Sequence, residues 1–202
     1  MAIDFNAPRI KLPFDFNILQ TRFALGFIGS HQLLARAKLP NLESREAPAF
    51  NDAYYLPFYF HLGIQHVEPH VVQVGPVLGL VGHCFLKGCY STKSWRVYSD
   101  EPASFVLGNL NSVKSDLDVS MFPMKDLVSV EGASDLALLS EKVDNLTECL
   151  EFLWVSLKPG GLLVVDYISD DAVKEGVSEF ARVKNRKPIE IKTRYGVSII
   201  ER

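Results

Sequence analysis

The sequence predicts an α/β protein: a mostly parallel sheet with helices on both faces, a C-terminal antiparallel hairpin and an N-terminal helical extension. Three observations carry that expectation. From residue 71 onward short apolar runs alternate with helical stretches, the rhythm of repeated βα units. The runs "HVVQVG" and "LLVVDYI" are nearly continuous in apolar residues, as strands covered on both faces must be. The chain closes with "PIEIKTRYGVSIIER", two strand-forming runs around a turn.

Taken in order, residues 1–17 read as an extended arm, because Pro8 and Pro13 forbid a regular helix across them. Residues 18–69 read as a helical segment that packs on the core. Ile18, Phe23, Leu25, Phe27, Leu33, Leu34 and Ala37 recur at roughly helical spacing up to Pro40, and "NLESREAPAF" is a polar linker. "NDAYYLPFYFHLGIQHVEP" is a further helix, opened by Asn-Asp and stopped by Glu-Pro. Residues 70–202 form the sheet domain. "HVVQVG" is its first strand, "LGLVGHCFLKGCY" a helix, "SWRVYSDE" a strand ending in acid, "EPASFVLGNLNSVKS" a helix and "LDVSMF" a weaker strand. "SDLALLS" is the fourth strand, "NLTECLEFLWVSLKPGG" a helix stopped by Lys-Pro-Gly-Gly, and "LLVVDYI" the fifth strand. "DDAVKEGVSEFARVKN" carries acids in its first turn and bases in its last, the order the helix dipole favours.

Bulk composition narrows the function classes. With 48% apolar and 22% charged residues the 202-residue chain should fold around one core, and a formal charge of −3 with both signs dispersed argues against a nucleic-acid or polybasic membrane surface. "KNRK", Lys184 to Lys187, is too short to change that. Cys84, Cys89 and Cys149 are an odd set without metal-ligand spacing and read as buried thiols of a reducing compartment. The proline-containing, acidic start does not read as a secretory signal, and no apolar run approaches the ~18 residues of a membrane span. A cytoplasmic protein is expected.

The stretch "VVQVGPVLG" looks like the strand and glycine turn of a nucleotide-binding βα unit, with Val77 where a dinucleotide fingerprint would want a third glycine. Together with "RVYSDE", "LKPGGLLVVDYI" and "GVSIIER", in that order and spacing, it resembles the Rossmann-like class I S-adenosylmethionine-dependent methyltransferases, over about residues 52–202. "GPVLG" is similar to the turn of the O-methyltransferase branch, which tolerates a bulky middle residue. The resemblance implies that Gly75 lets the chain reverse after the strand and that Gly79 lets a helix N-terminus approach S-adenosylmethionine. It implies a ribose-binding role for Asp100, 25 residues beyond Gly75. Capping the helix that begins "EPASF" is the structural alternative for Asp100.

Departures from the family pattern are specific. Gln73 stands where the strand usually carries an acid and would bind the cofactor without charge, and Pro76 removes an N–H from the turn. In the metal-dependent branch an acid ends the fourth strand and an acid pair ends the fifth. Here Ser140 replaces the first, Asp166 survives and Tyr167 replaces its neighbour. One matched carboxylate does not make a site for a hard cation, and Glu141 or Asp144 would need a local shift to help. No metal is expected. Asp166, ending a buried strand, is the catalytic candidate for a general base, whereas Asp170 and Asp171 read as caps of the next helix. His61, His66 and His70 read as surface or interface residues, because Pro69 breaks any shared helix. His83, on the helix behind the turn, could lie near the ligand but reads more readily as packing. "YYLPFYF" either lines a substrate pocket or seats the N-terminal helices.

Two functions fit. One is methyl transfer to a small-molecule acceptor, with S-adenosylmethionine held by Gln73, Gly75, Gly79, Asp100 and Ser140. The other is an inactive methyltransferase fold serving as a binding or structural subunit, with the apolar arm docking on a protein partner or a second copy.

Overall fold

The computed structural model describes residues 55–76, 79–128, 131–191 and 195–202. The predicted arm and the helical reading of residues 18–40 lie outside the described residues, as does Val77. The elements are α1 (Tyr55–Ile64), β1 (His70–Val74), α2 (Leu80–Gly88), β2 (Ser94–Tyr98), α3 (Ala103–Asn111), β3 (Asp118–Phe122), a single 3-10 turn (Met124–Asp126), β4 (Ser134–Leu139), α4 (Leu146–Ser156), β5 (Leu157–Asp166), α5 (Asp171–Val183), β6 (Ile189–Ile191) and β7 (Val197–Glu201).

The seven strands form one sheet in the order β3-β2-β1-β4-β5-β7-β6. β1 to β5 pair in parallel, and β7 inserts antiparallel between β5 and β6. Strand periodicity divides the core in two. Val71, Trp95, Leu136, Leu138, Leu162 and Val164 face α1, α2 and α3, while Val72, Val74, Ala137, Leu139, Leu163 and Val165 face α4 and α5. Both layers are buried, which is why β1, β4 and β5 read as unbroken apolar runs. β3 lies at the sheet edge with a half-exposed pattern, which accounts for its weaker signal.

α1 sits directly on α2 because glycine stands at both contact points. A Cβ on Gly63 would fall 2.3 Å from the Phe85 carbonyl, and one on Gly88 would fall 2.1 Å from the Phe60 carbonyl. The backbones therefore touch, and Phe58, Tyr59 and Leu62 of α1 are pressed into the core.

The Lys-Pro-Gly-Gly stop differs from expectation. α4 ends at Ser156, and Lys158 to Gly161 bulge into the start of β5, so that Leu157 pairs with Ser134 and Leu162 with Leu136. The bulge is tied to the chain end: Gly160 N–H donates to Arg202 O at 2.6 Å and Arg202 N–H to Gly161 O at 2.9 Å. The helix at the C-terminal side is capped as expected, with the Asp170 carboxylate accepting from Ala172 and Val173 N–H. All three cysteines are buried and outside any disulfide. Among the described residues no helix is long and apolar enough to cross a membrane.

Candidate functional site

In an open parallel sheet the carboxyl ends of two strands part where the connections run off in opposite directions, leaving a crevice. Here that place lies between β1, whose chain moves to β2 on one side, and β4 on the other. The loops that meet there follow β1 (Gly75), β2 (Asp100) and β4 (Ser140 and Glu141).

Gly75 and Gly79 both have left-handed backbone, with φ of 69° and 82°. Their neighbours give each a second reason to be glycine. A Cβ on Gly75 would lie 2.2 Å from the Glu141 Cβ and 2.8 Å from its Oε2. A Cβ on Gly79 would lie 2.8 Å from the Val106 carbonyl of α3. Gly79, expected to admit a ligand, thus also admits a neighbouring helix, and the loop after β4 closes over Gly75.

Asp100 is exposed and does not cap α3, whose N-cap is Pro102 without a side-chain bond. Its Oδ1 instead accepts from the Met124 N–H at 3.1 Å, tying the end of β2 to the loop beyond β3. Glu141 comes close enough to feel that charge. Its carboxyl is raised above the ordinary value, first by partial burial and then by Asp100.

The other half of the edge is closed. Trp95 Nε1 donates to Gln73 Oε1 at 3.0 Å, and Gln73 Nε2 donates to Ser140 Oγ at 3.2 Å. Ser140 in turn hydrogen-bonds the Tyr59 phenol, which donates to both carboxylate oxygens of Asp166 at 2.7 Å. The direction is dictated by chemistry: an indole N–H can only donate and an ionised carboxylate can only accept, so the Gln73 amide and both hydroxyls between them have one consistent orientation. Gln73, Ser140 and Asp166 are 1%, 0% and 2% exposed, and all lie on the α1 side of the sheet. Burial, followed by the Asp166 charge, holds the Tyr59 phenol well above its usual range and therefore protonated.

Beyond Asp166 the backbone turns sharply, with Tyr167 at φ 63° and its ring 5.0 Å from that of Tyr195. Burial pushes the Tyr167 phenol up to about 12, with Asp166, Tyr195 and Glu141 adding to the shift. Asp170, besides capping α5, pairs with Lys142.

The structure thus brings Gly75 and Asp100 to the crevice and gives Gln73, Ser140 and Asp166 protein partners beneath α1. Of the described histidines, His66 departs from expectation and His83 packs as expected. His66 is buried rather than on the surface, its Nδ1–H donating to Leu62 O at 2.8 Å, and burial depresses its pKa. His70 Nδ1 pairs with the Ser94 hydroxyl, and His83 Nδ1–H donates to Asn109 O at 3.0 Å, a packing role between α2 and α3. Among the described residues no group of three or more His, Cys, Asp or Glu converges as a metal site would require. Sequence reasoning missed Tyr59 and Trp95 as members of the buried chain, since nothing local separates Tyr59 from the other aromatics of "YYLPFYF". It weighed Glu141 only as a metal ligand. Its position just past a buried strand, at the edge where such sheets bind ligands, was the available signal.

The fold matches solved methyltransferase structures across almost its whole length. A methyltransferase from Geobacter sulfurreducens aligns at a TM-score of 0.58 with 14% identity, covering 94% of this chain and 97% of that one. The SAH-bound methyltransferase of Podospora anserina aligns at 0.57 with 13% identity, covering 94% and 97%. An O-methyltransferase from Bacillus cereus in complex with SAH aligns at 0.56 with 13% identity, covering 96% and 94%. At such identities the likeness establishes the class I methyltransferase fold, as the order of motifs led us to expect. No family model and no curated protein matches the chain.

Proposed function

We propose that the chain binds S-adenosylmethionine in the crevice between β1 and β4 and transfers its methyl group to a small-molecule acceptor. The observation that carries this reading is the convergence of a left-handed glycine turn with two carboxylates, Asp100 and Glu141, at the carboxyl edge of the sheet. The donor set fits the cofactor. Asp100 is an exposed acceptor at the end of β2, suited to ribose hydroxyls, and the absence of a side chain at Gly75 lets the Glu141 carboxylate pack beside the turn. When bound, the cofactor supplies a methyl group already activated on a sulfonium. The protein's share is to hold and align, which can provide much of the rate without a dedicated base. Asp166, the catalytic candidate, is 2% exposed and already accepts from the Tyr59 phenol, so it could take an acceptor's proton only after being uncovered.

That last point favours a second reading, an inactive methyltransferase fold that acts as a binding or structural subunit. Gln73, Ser140 and Asp166 all serve the protein's own interior, where a working site would turn some of them toward ligand. The predicted arm would then be the segment that docks on a partner.

Calorimetric titration of S-adenosylmethionine and S-adenosylhomocysteine, with Asp100→Ala alongside, separates the two. Micromolar binding that weakens at least tenfold in the variant, about 1.4 kcal/mol, supports the enzyme and justifies an acceptor screen. A folded protein that binds neither ligand supports the subunit reading.

A further inference from the structure

Gln73 leaves a chemical gap. At its place in β1 an acid would face the cationic end of the cofactor, yet the amide is neutral, and its oxygen and nitrogen are already engaged by Trp95 and Ser140. The gap lies beside the Gly75 turn, and one residue on the far side of that turn carries a negative charge. Glu141 packs on Gly75 with its Cβ, its Oε2 and its backbone nitrogen, which lie 2.2, 2.8 and 3.1 Å from the point a Gly75 Cβ would occupy.

We propose that Glu141 is the carboxylate that meets the positive charge of the bound cofactor, replacing from the loop after β4 the acid that β1 lacks. The inference rests on the cofactor reading above and assigns the charge recognition within it. Two features support Glu141 over its neighbours. The Asp100 charge at the end of β2 acts on it as a like charge, which a positive ligand would relieve. The adjacent Lys142 ammonium is committed to Asp170, whose carboxylate is thereby occupied. Tyr167, approaching from the end of β5, is neutral over the working range because its phenol is pushed up to about 12. Glu141's own raised carboxyl adds a thermodynamic consequence: a cation arriving beside it must lower that pKa again, so binding at mildly acid pH expels a proton.

The test is calorimetric titration of S-adenosylmethionine at about pH 7.5 and about pH 5, in buffers of different ionisation enthalpy, with wild type, Glu141→Gln and Asp100→Ala, each checked for an intact fold by thermal melting. The wild type should bind more weakly at the lower pH and release a proton there. Glu141→Gln should lose roughly tenfold in affinity at pH 7.5 and release none. Asp100→Ala should weaken at both pH values and keep the proton release. A folded Glu141→Gln that retains wild-type affinity or still expels the proton overturns the inference and leaves the cofactor reading standing. A wild type that binds at neither pH overturns both.

Discussion

Two halves of one sheet edge handle their polar groups in opposite ways. Beneath α1, Trp95, Gln73, Ser140, Tyr59 and Asp166 form a buried chain in which each donor finds an acceptor and the last acceptor is a carboxylate. Across the Gly75 turn, Asp100 and Glu141 are both exposed, Asp100 accepting from the Met124 N–H and its charge raising the Glu141 carboxyl. The first half is self-sufficient, and its energetics belong to folding. The second holds a like-charge contact, and on the proposed function its energetics belong to binding. Polar residues at the ligand edge of such a fold are therefore not equivalent, and burial together with partner chemistry decides which of them remain available.

The strongest way to break this division is Gly75→Ala, which strikes the seam between the halves. The new methyl must adopt φ near 69° and enter the space of the Glu141 Cβ. Left-handed strain and overpacking together should cost about 2–4 kcal/mol and lower the thermal midpoint by roughly 5–15 °C. A wild-type melting curve would mean that Glu141 does not lie against the turn.

Next comes Tyr59→Phe, which should act on the closed half alone. Removing a phenol that donates to a buried carboxylate should cost about 1.5–3 kcal/mol in denaturant unfolding while leaving cofactor affinity within twofold. Trp95→Phe, at the neutral end of the same chain, should cost about 1–3 kcal/mol, because it leaves the buried Gln73 oxygen unpaired and empties core space. If Tyr59→Phe instead left stability unchanged and altered cofactor affinity, the closed half would have to be counted as part of the site.

How much of this was legible in the sequence follows the same division. The strands were readable because burial on both faces leaves continuous runs such as Val71, Val72 and Val74, and because Gly75 and Gly79 announce left-handed turns. The meaning of those positions was not readable. Gln73 is 22 residues from Trp95 and 67 from Ser140, and Tyr59 is 107 from Asp166, separations at which no local pattern speaks. Gly79 could be recognised as a turn residue but not as the place where α3 approaches through Val106. His66 was misplaced for the same reason, since only the packing of α1 on the sheet buries it.

Glu141→Gln should produce the smallest effect on the free protein and the most informative one. Because the folded state holds the Glu141 carboxyl above its ordinary value, the stability it contributes is present below the unfolded-chain pKa and is lost as pH rises through the folded value. At neutral pH the charge therefore works slightly against folding. The variant should be more stable than wild type at pH 7, by no more than about 0.5 kcal/mol at a site this open to solvent, and the gain should vanish below about pH 4. Saturating S-adenosylmethionine should reverse the order, since the ligand stabilises whichever form binds it more tightly. Parallel melts with and without ligand read both signs. A residue that costs the fold a little and returns more on binding is what separates the open half of this edge from the closed one, where Tyr59 and Asp166 stabilise the protein whether or not anything is bound.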